Sequence, residues 1–523
     1  MFVGFRTQIS ILILILFFYG VFACTEVLAS CFTINDIFIN SEVKISPKEK
    51  KRLIKPFILR CISVEDINAI IHSITNYYMK RGYLTARVEV PEQDLASNVL
   101  RLNVIQGKIV EIEYENPSDS SIESSFPKLV GNDVNLRDIE QAIEHLNNLR
   151  SNNAKIELMH GGKDGESKLI IRNTPKKRFY VSTGIDSSGD KSKSLYQGFS
   201  TFAVDNILSL NDSLILSERH NVENFENNLM QNYNIIWSIP YDYYKVTFNY
   251  DYGFHKDKVP LVELPIFYSG NHNRGGINIT KNLIRDGNKK LDVNIGFRKS
   301  NYKEKINNIN LNYQSYKLTV IELGINLSSR VLGGWLQTGC AVEKGLDADA
   351  TKYYLYKSLS PASNFTKVIC DANYYKYLHN FSFGSMIFSS NFKMQHSQNI
   401  LYASEKFDVG SSNAVRGFND VLLKSEEGHY VRNELILDLP QKSKNLFSVL
   451  LGKPQLFVGL DLGDFYRFDD NPKKRGSLSS TSIGVRTSGG VISTNFVYSK
   501  VNSLGNTKSS KSNNIFFSVV IEV

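Results

Sequence analysis

Tyr244-Lys-Val-Thr-Phe-Asn-Tyr-Asp-Tyr252 places an apolar or aromatic residue at every even position and a polar one at every odd position. A period of two is the mark of a strand, whose successive side chains point to opposite faces. The alternation returns in Leu291, Val293, Ile295 and Phe297 against Asp292, Asn294, Gly296 and Arg298, and in Ile515, Phe517, Val519, Ile521 and Val523. Sheets with one apolar face belong either to a sandwich, where two such faces pack together, or to a membrane barrel, where the face meets lipid. Length decides. From Arg178 onward the helical period is absent, and residues 177–523 are too many for one sandwich. Shared among sixteen strands they allow about 22 residues per strand and connection, ordinary for an outer-membrane barrel, and the expected fold is a 16-stranded antiparallel transmembrane β-barrel. Tyr241-Asp-Tyr-Tyr244 and Tyr374-Tyr-Lys-Tyr377 supply the aromatic residues that interfacial girdles require.

Composition agrees once it is read with that alternation. The 523 residues carry 61 Lys+Arg and 52 Asp+Glu, 42% are hydrophobic, and the mean hydropathy is -0.22. That average resembles a soluble protein, but the two faces of barrel strands cancel in any mean. Ample apolar content with 34 Gly and 5 Cys excludes a disordered, collagen-like or disulfide-dense small chain. Beyond residue 30 no uncharged apolar run approaches the roughly 18 residues of a spanning helix, so a helical membrane bundle is excluded too. The net charge of +9 is spread without a long basic run, which gives no sign of a nucleic-acid partner.

At the N-terminus, Arg6 precedes the apolar stretch Ile11 to Ala23, and Val27-Leu-Ala29 offers a cleavage site. Residues 1–29 therefore read as a signal peptide, and the mature chain leaves the cytoplasm. Leu28-Ala-Ser-Cys31 also reads as a lipoprotein processing box that would lipidate Cys31, although Glu26 between box and apolar core argues against it. Removing Cys24 with the signal leaves Cys31, Cys61, Cys340 and Cys370, an even set in an oxidising compartment. A Cys31–Cys61 disulfide is expected, and it excludes lipidation of the same sulfur. Cys340 and Cys370 flank a hairpin centred near residue 355, where a bridge and free thiols both stay open.

Between signal and barrel lie two α+β units. In residues 30–107 a strand is predicted from Phe32 to Phe38, followed by two helices and two strands. Ser63 is a suitable N-cap, with Glu65 and Asp66 in the first turn and Ile67, Ile70, Ile71, Ile74 and Tyr78 at helical spacing. Residues 108–176 repeat the theme with strand Ile109 to Tyr114, helix Leu136 to Leu149, and strands around Ile156 and Leu169 to Ile171. The repeat suggests two copies of one module.

Two stretches carry chemistry. Val409-Gly-Ser-Ser-Asn-Ala-Val-Arg-Gly-Phe418 is not a strand: glycines allow unusual backbone angles around a single Arg. In Phe457-Val-Gly-Leu-Asp-Leu-Gly463, alternation sends Leu456, Val458, Leu460 and Leu462 to lipid and Asp461 into the lumen, between Gly459 and Gly463. Side-chain-free glycines beside a lumenal carboxylate leave room for an approaching group, and Arg416 suits a bidentate pair. A solvent-exposed loop Arg is the competing reading.

Here the chain resembles the two-partner secretion transporters of the haemolysin secretion/activation type, in the superfamily that also holds the barrel-assembly proteins. Val415-Arg416-Gly417-Phe418 matches the signature at the tip of that superfamily's lumen-folded loop, placed here at about 406–428. Phe457, Gly459, Asp461 and Gly463 match the inner-wall strand motif that the loop Arg contacts, and Tyr430-Val-Arg-Asn-Glu434 fits the strand after the loop. Cys31 with Cys61, Arg81-Gly82-Tyr83, Pro91-Glu92-Gln93-Asp94 and Gly107 match the first polypeptide-transport-associated (POTRA) domain. Leu136 to Glu140 and Gly161 to Ser167 match the second. The resemblance implies a Gram-negative outer-membrane transporter that moves a large exoprotein of haemolysin, adhesin or growth-inhibition toxin type from periplasm to cell surface without nucleotide hydrolysis. It also implies cargo capture by the POTRA domains, contact with outer-membrane lipid and insertion by the barrel-assembly machinery. No cofactor, metal or nucleic acid is implied. The family's N-terminal plug helix has no counterpart before Phe32, and Val523 stands where an aromatic residue is usual. The alternatives are a barrel-assembly or lipid-handling member of the superfamily, a plain porin, and an enzyme. For the last, the sequence offers no catalytic grouping, metal-ligand spacing or phosphate loop.

Overall fold

The computed structural model describes residues 31–115, 124–189, 194–223, 227–259, 265–312, 314–347, 360–418, 424–440, 446–467, 474–504 and 513–523. The expected signal peptide, residues 1–29, and the centre of the hairpin near residue 355 lie outside them. The chain forms two compact units, one of residues up to 111 with 130–136 and 158–168, the other of 112–129, 137–157 and 169–523.

The first unit is built on two helices, α1 (Pro47–Ile54) and α2 (Val64–Lys80). The cap predicted for α2 is present in reciprocal form. Ser63 Oγ accepts from the Asp66 amide at 3.4 Å, and the Asp66 carboxylate accepts from the Ser63 amide at 3.0 Å. One face of α2 buries Ile70, Ile74 and Tyr78 against Ile34, Ile37, Ile62, Leu100 and Leu102, each such side chain contributing roughly 1.5–3 kcal/mol. The single strand expected from Phe32 to Phe38 is two. Phe32–Ile34 pairs with Arg60–Ile62, and Asp36–Asn40 runs parallel to Val99–Ile105, whose other neighbour is Arg87–Glu89. The reason is burial: Ile34 and Ile37 are both fully enclosed, yet three residues apart on one continuous strand they would face opposite ways. A bend at Asn35 turns both into the core. The Cys31–Cys61 disulfide joins the first of these strands to its partner.

Helix α3 (Leu136–Asn147) ends two residues short of the predicted Leu149 and buries Ile139, Ala142 and Leu146. Strands Lys108–Tyr114, Glu166–Asn173 and Ala154–His160 form a three-stranded sheet in that order. The rest is a closed antiparallel barrel of sixteen long strands, with the two-residue strand Ile309–Asn310 added to one of them. The first, Phe179–Asp186, meets the last, Asn514–Glu522, from Ser518 opposite Asp186 to Glu522 opposite Ser182. Tyr250 and Ile295 are 45% and 53% exposed on the outer face, where the alternation placed them for lipid, and Leu323, opposite Ile295 on the next strand, is 64% exposed. Cys340 and Cys370, directly opposite on the ninth and tenth barrel strands, are disulfide-bonded.

Short turns at one end of the barrel receive α3. Glu144 pairs with Arg285 and Lys290, and Arg285 Nε donates to Gln141 Oε1 at 3.1 Å. His145 Nε2 donates to the Asp242 carbonyl at 2.7 Å, and the Tyr243 hydroxyl donates to Asp138.

Candidate functional site: a loop pinned to the inner wall

Between the eleventh and twelfth barrel strands, Gly384–Ser397 and Glu427–Asp438, the chain makes a long excursion. Its legs pair briefly, Phe407 opposite Ser425 and Asp408 opposite Lys424. Beyond them the described tip folds on itself: the Val415 amide bonds to the Val409 carbonyl at 3.0 Å and the Ser411 amide to the Val415 carbonyl at 3.2 Å. Gly417 takes φ +93°, a conformation that favours glycine, and turns the chain after Arg416. Val415 and Phe418 are buried with Phe407, Val409, Tyr430, Phe465, Leu478 and Val501, so the tip is held by apolar packing against the wall.

Arg416 and Asp461 meet at the wall. Asp461, on the thirteenth strand Lys453–Arg467, is 0% exposed and Arg416 is 4% exposed. Arg416 Nε donates to Asp461 Oδ2 at 2.6 Å, Nη2 to Oδ1 at 2.6 Å, and the Arg416 amide to Oδ2 at 3.1 Å. The wall glycines clear the space. A Cβ on Gly459 would lie 2.3 Å from Arg416 Nη2, and one on Gly463 would lie 2.8 Å from a Val415 methyl carbon. Leu456, Val458, Leu460 and Leu462 lie on the outer face, each more than 40% exposed. Phe457 is buried inside, with the Arg416 and Arg486 guanidinium groups 5.6 and 4.8 Å from its ring centroid.

Three members of the site, Glu434, Arg432 and Arg486, carried no role in the sequence reading. Glu434 accepts from Arg416 Nη1 at 2.7 Å and lies 3.1 Å from Arg486 Nη1, bridging the two arginines, while Arg432 Nη1 donates to the Ser412 carbonyl at 3.0 Å. Glu434 lies inside the quoted Tyr430–Glu434 segment, and alternation alone would have turned it and Arg432 into the lumen. A cavity of about 190 Å³ lies beside this site, lined by Asn413, Gly417 and Asn495 among others.

The motif residues of the first unit have local structural explanations. Arg81 stacks over the Tyr77 ring at 4.4 Å, Gly82 at φ +98° ends α2, and the Tyr83 amide returns to the Tyr78 carbonyl at 3.1 Å. The Gly82 carbonyl then accepts from the Leu136 amide at 2.8 Å. Gln93 acts as a surrogate strand, its amide bonding the Arg101 amide at 2.7 Å and the Arg101 carbonyl at 2.8 Å. Asp94 caps the short helix Leu95–Ser97. A Cβ on Gly107 would stand 2.6 Å from Thr85 Oγ1, which accepts the Gly107 amide at 3.1 Å.

A closed sixteen-stranded barrel that follows α/β modules in the chain and carries a loop fastened to its lumenal wall defines a membrane-spanning barrel of the outer-membrane class. The family described as haemolysin secretion/activation protein ShlB/FhaC/HecB matches residues 165–487, a ShlB-type POTRA domain matches 32–107, and a further POTRA domain matches 108–159. The chain belongs to that haemolysin secretion/activation family. It is 26% identical to the outer membrane transporter CdiB of Dickeya dadantii over 87% of this chain and 80% of that protein. It is 27% identical to the hemolysin transporter protein HpmB of Proteus mirabilis over 83% and 75%. Among solved structures, CdiB from Escherichia coli shares the fold with a TM-score of 0.86 at 24% identity, covering 96% of this chain and 92% of that one. The chain is thus an outer-membrane transporter of two-partner secretion, acting with a secreted partner exoprotein, and its POTRA domains lie in the periplasm.

Proposed function

We propose that residues 30–107 and 108–176 are two POTRA domains that capture the unfolded exoprotein, a large haemolysin, adhesin or growth-inhibition toxin, and feed it to the barrel lumen. Among the described residues Asp36–Asn40, Arg87–Glu89 and Ala154–His160 each have a single strand neighbour, and such edges suit capture by strand addition, in which backbone hydrogen bonds give affinity and side chains give selectivity. Transport draws on folding of the cargo outside the cell, since the periplasm holds no nucleotide. Residues 1–29 direct export and are removed, and the barrel-assembly machinery inserts the barrel into outer-membrane lipid. Arg416 and Asp461 keep the loop in the secretion-competent arrangement. The observation that carries this role is a fully buried, bidentate ion pair between loop tip and wall. Breaking such a pair costs about 3–5 kcal/mol, because the surviving charge stays buried. The test is Arg416→Ala: secretion of the exoprotein is lost while the barrel assembles at parental amounts. Normal secretion by a well-inserted variant overturns the role of Arg416.

A further inference from the structure

The same loop is fastened a second time, at its root, by charges the tip does not use. Glu405 stands two residues before Phe407 and is 1% exposed. Its carboxylate accepts from Arg298 Nη1 at 2.9 Å, Arg298 Nη2 at 3.1 Å and Lys367 Nζ at 2.9 Å. Both cations are shared with Glu343, which lies 2.8 Å from Arg298 Nη2 and 3.4 Å from Lys367 Nζ. Lys367 also donates to the Glu405 backbone carbonyl at 3.2 Å. Gln395 Nε2 ties the two legs together, donating to the Glu405 carbonyl at 3.0 Å and the Glu426 carbonyl at 3.1 Å.

Two cations and two carboxylates balance, and each has its partner, which is the condition for a buried ionic cluster to be tolerated. Its place in the barrel gives it a consequence. Arg298, Glu343 and Lys367 belong to the seventh, ninth and tenth strands, Lys289–Ile306, Gly334–Leu346 and Thr366–Phe381. The tip partners Glu434, Asp461 and Arg486 belong to the twelfth, thirteenth and fourteenth. The loop is therefore strapped between two separate sectors of the wall. Apolar packing alone tolerates sliding of the root, whereas a carboxylate held by three directed bonds fixes its position and orientation. If the root drifts, Arg416 no longer stands over Asp461.

We infer that Glu405 is a positioning residue for transport: the Arg298–Glu405–Lys367–Glu343 cluster anchors the loop root and so sets where Arg416 can dock. This inference rests on the role proposed above for Arg416. The experiment compares Glu405→Gln, Arg416→Ala and the parent as full chains, measuring exoprotein secretion and single-channel conductance in planar bilayers. Glu405→Gln is expected to assemble, to secrete at least about tenfold less, and to show a larger or more frequently fluctuating conductance, a readout that a defect in barrel folding alone would not produce. Should Glu405→Gln fail to assemble, Glu405→Gln with Lys367→Met carries the test, because it removes one charge of each sign and leaves Arg298 paired with Glu343. Raised conductance with reduced secretion in the assembling variant supports the anchor, and parental values of both overturn it. If Glu405→Gln is parental while Arg416→Ala is defective, only the anchor fails; if Arg416→Ala secretes normally, the role of Arg416 itself is wrong.

Discussion

Asp461→Asn is the sharpest probe of the tip. The parental site sets three guanidinium groups, Arg416, Arg432 and Arg486, against two carboxylates, Asp461 and Glu434. The substitution leaves one carboxylate for three cations and turns an amide donor toward Arg416, which has only donors to offer. Removing one partner of a buried pair costs about 3–5 kcal/mol. Glu434 keeps its 2.7 Å contact with Arg416 Nη1, so the lower end applies, about 3 kcal/mol, or roughly a hundredfold in the balance between docked and released loop. Hydrogen–deuterium exchange of the purified full chain reads that balance directly. The Val415 and Arg416 amides are bonded to the Val409 carbonyl at 3.0 Å and the Asp461 carboxylate at 3.1 Å. Peptides covering 409–418 should exchange about a hundredfold faster in the variant, while those from 289–306 stay unchanged. Parental exchange at 415–416 in a correctly closed barrel would refute the view that Asp461 holds the loop.

Acidification should loosen the seat of α3. Burial holds the pKa of His145 below the ordinary 6.5; burial pulls the Glu144 carboxyl up, but Lys290 and Arg285 outweigh it and hold that pKa below 4.5. Both groups have lowered folded-state values, so their contributions are complete above the unfolded values and fade as pH falls, His145 first below about 6.5 and Glu144 below about 4.5. Exchange in residues 139–147, corrected for its intrinsic pH dependence, should rise between about pH 7.5 and about pH 5.5, and a flat profile would count against the docking described. Replacing Cys31 and Cys61 together by Ser opens a link of sequence separation 30 and should lower the stability of the first unit by about 3–4 kcal/mol on the chain-entropy estimate. Limited proteolysis of the full chain should then cut residues 31–107 faster, and an unchanged rate would place the stability elsewhere.

How far the sequence could be read depended on the range of the interaction. Asp461 was legible because period two assigns its face within seven residues and the flanking glycines mark a close approach. Ser63 and Asp66 were legible because a capping box is local. The split at Asn35 was not, since nothing near it announces that Ile34 and Ile37 must share one core. Glu405, Arg298, Glu343 and Lys367 were silent for a related reason. Their meeting depends on barrel register, which brings together strands far apart in the chain, and no spacing between charged residues encodes that. Arg486 entered the site the same way, through a neighbouring strand, whereas Glu434 lay in a quoted segment where period two alone turns it inward.

The alternation of the outer wall has a consequence for how this chain travels. Tyr250, Ile295 and Leu323 join a continuous oily surface only on a finished sheet; along the chain each is separated from the next apolar residue by a polar residue or a glycine. Among the described residues no helix is long and apolar enough to cross a membrane. Before its strands pair, interleaved polar residues keep every uncharged apolar run in this region short of the roughly 18 residues a spanning helix needs, and its backbone groups still need water. Affinity for the bilayer is thus an acquired property, created when the sheet closes and the interleaved residues sort themselves onto two surfaces. The same molecule is a polar passenger on the way to its destination and a resident of lipid after arrival.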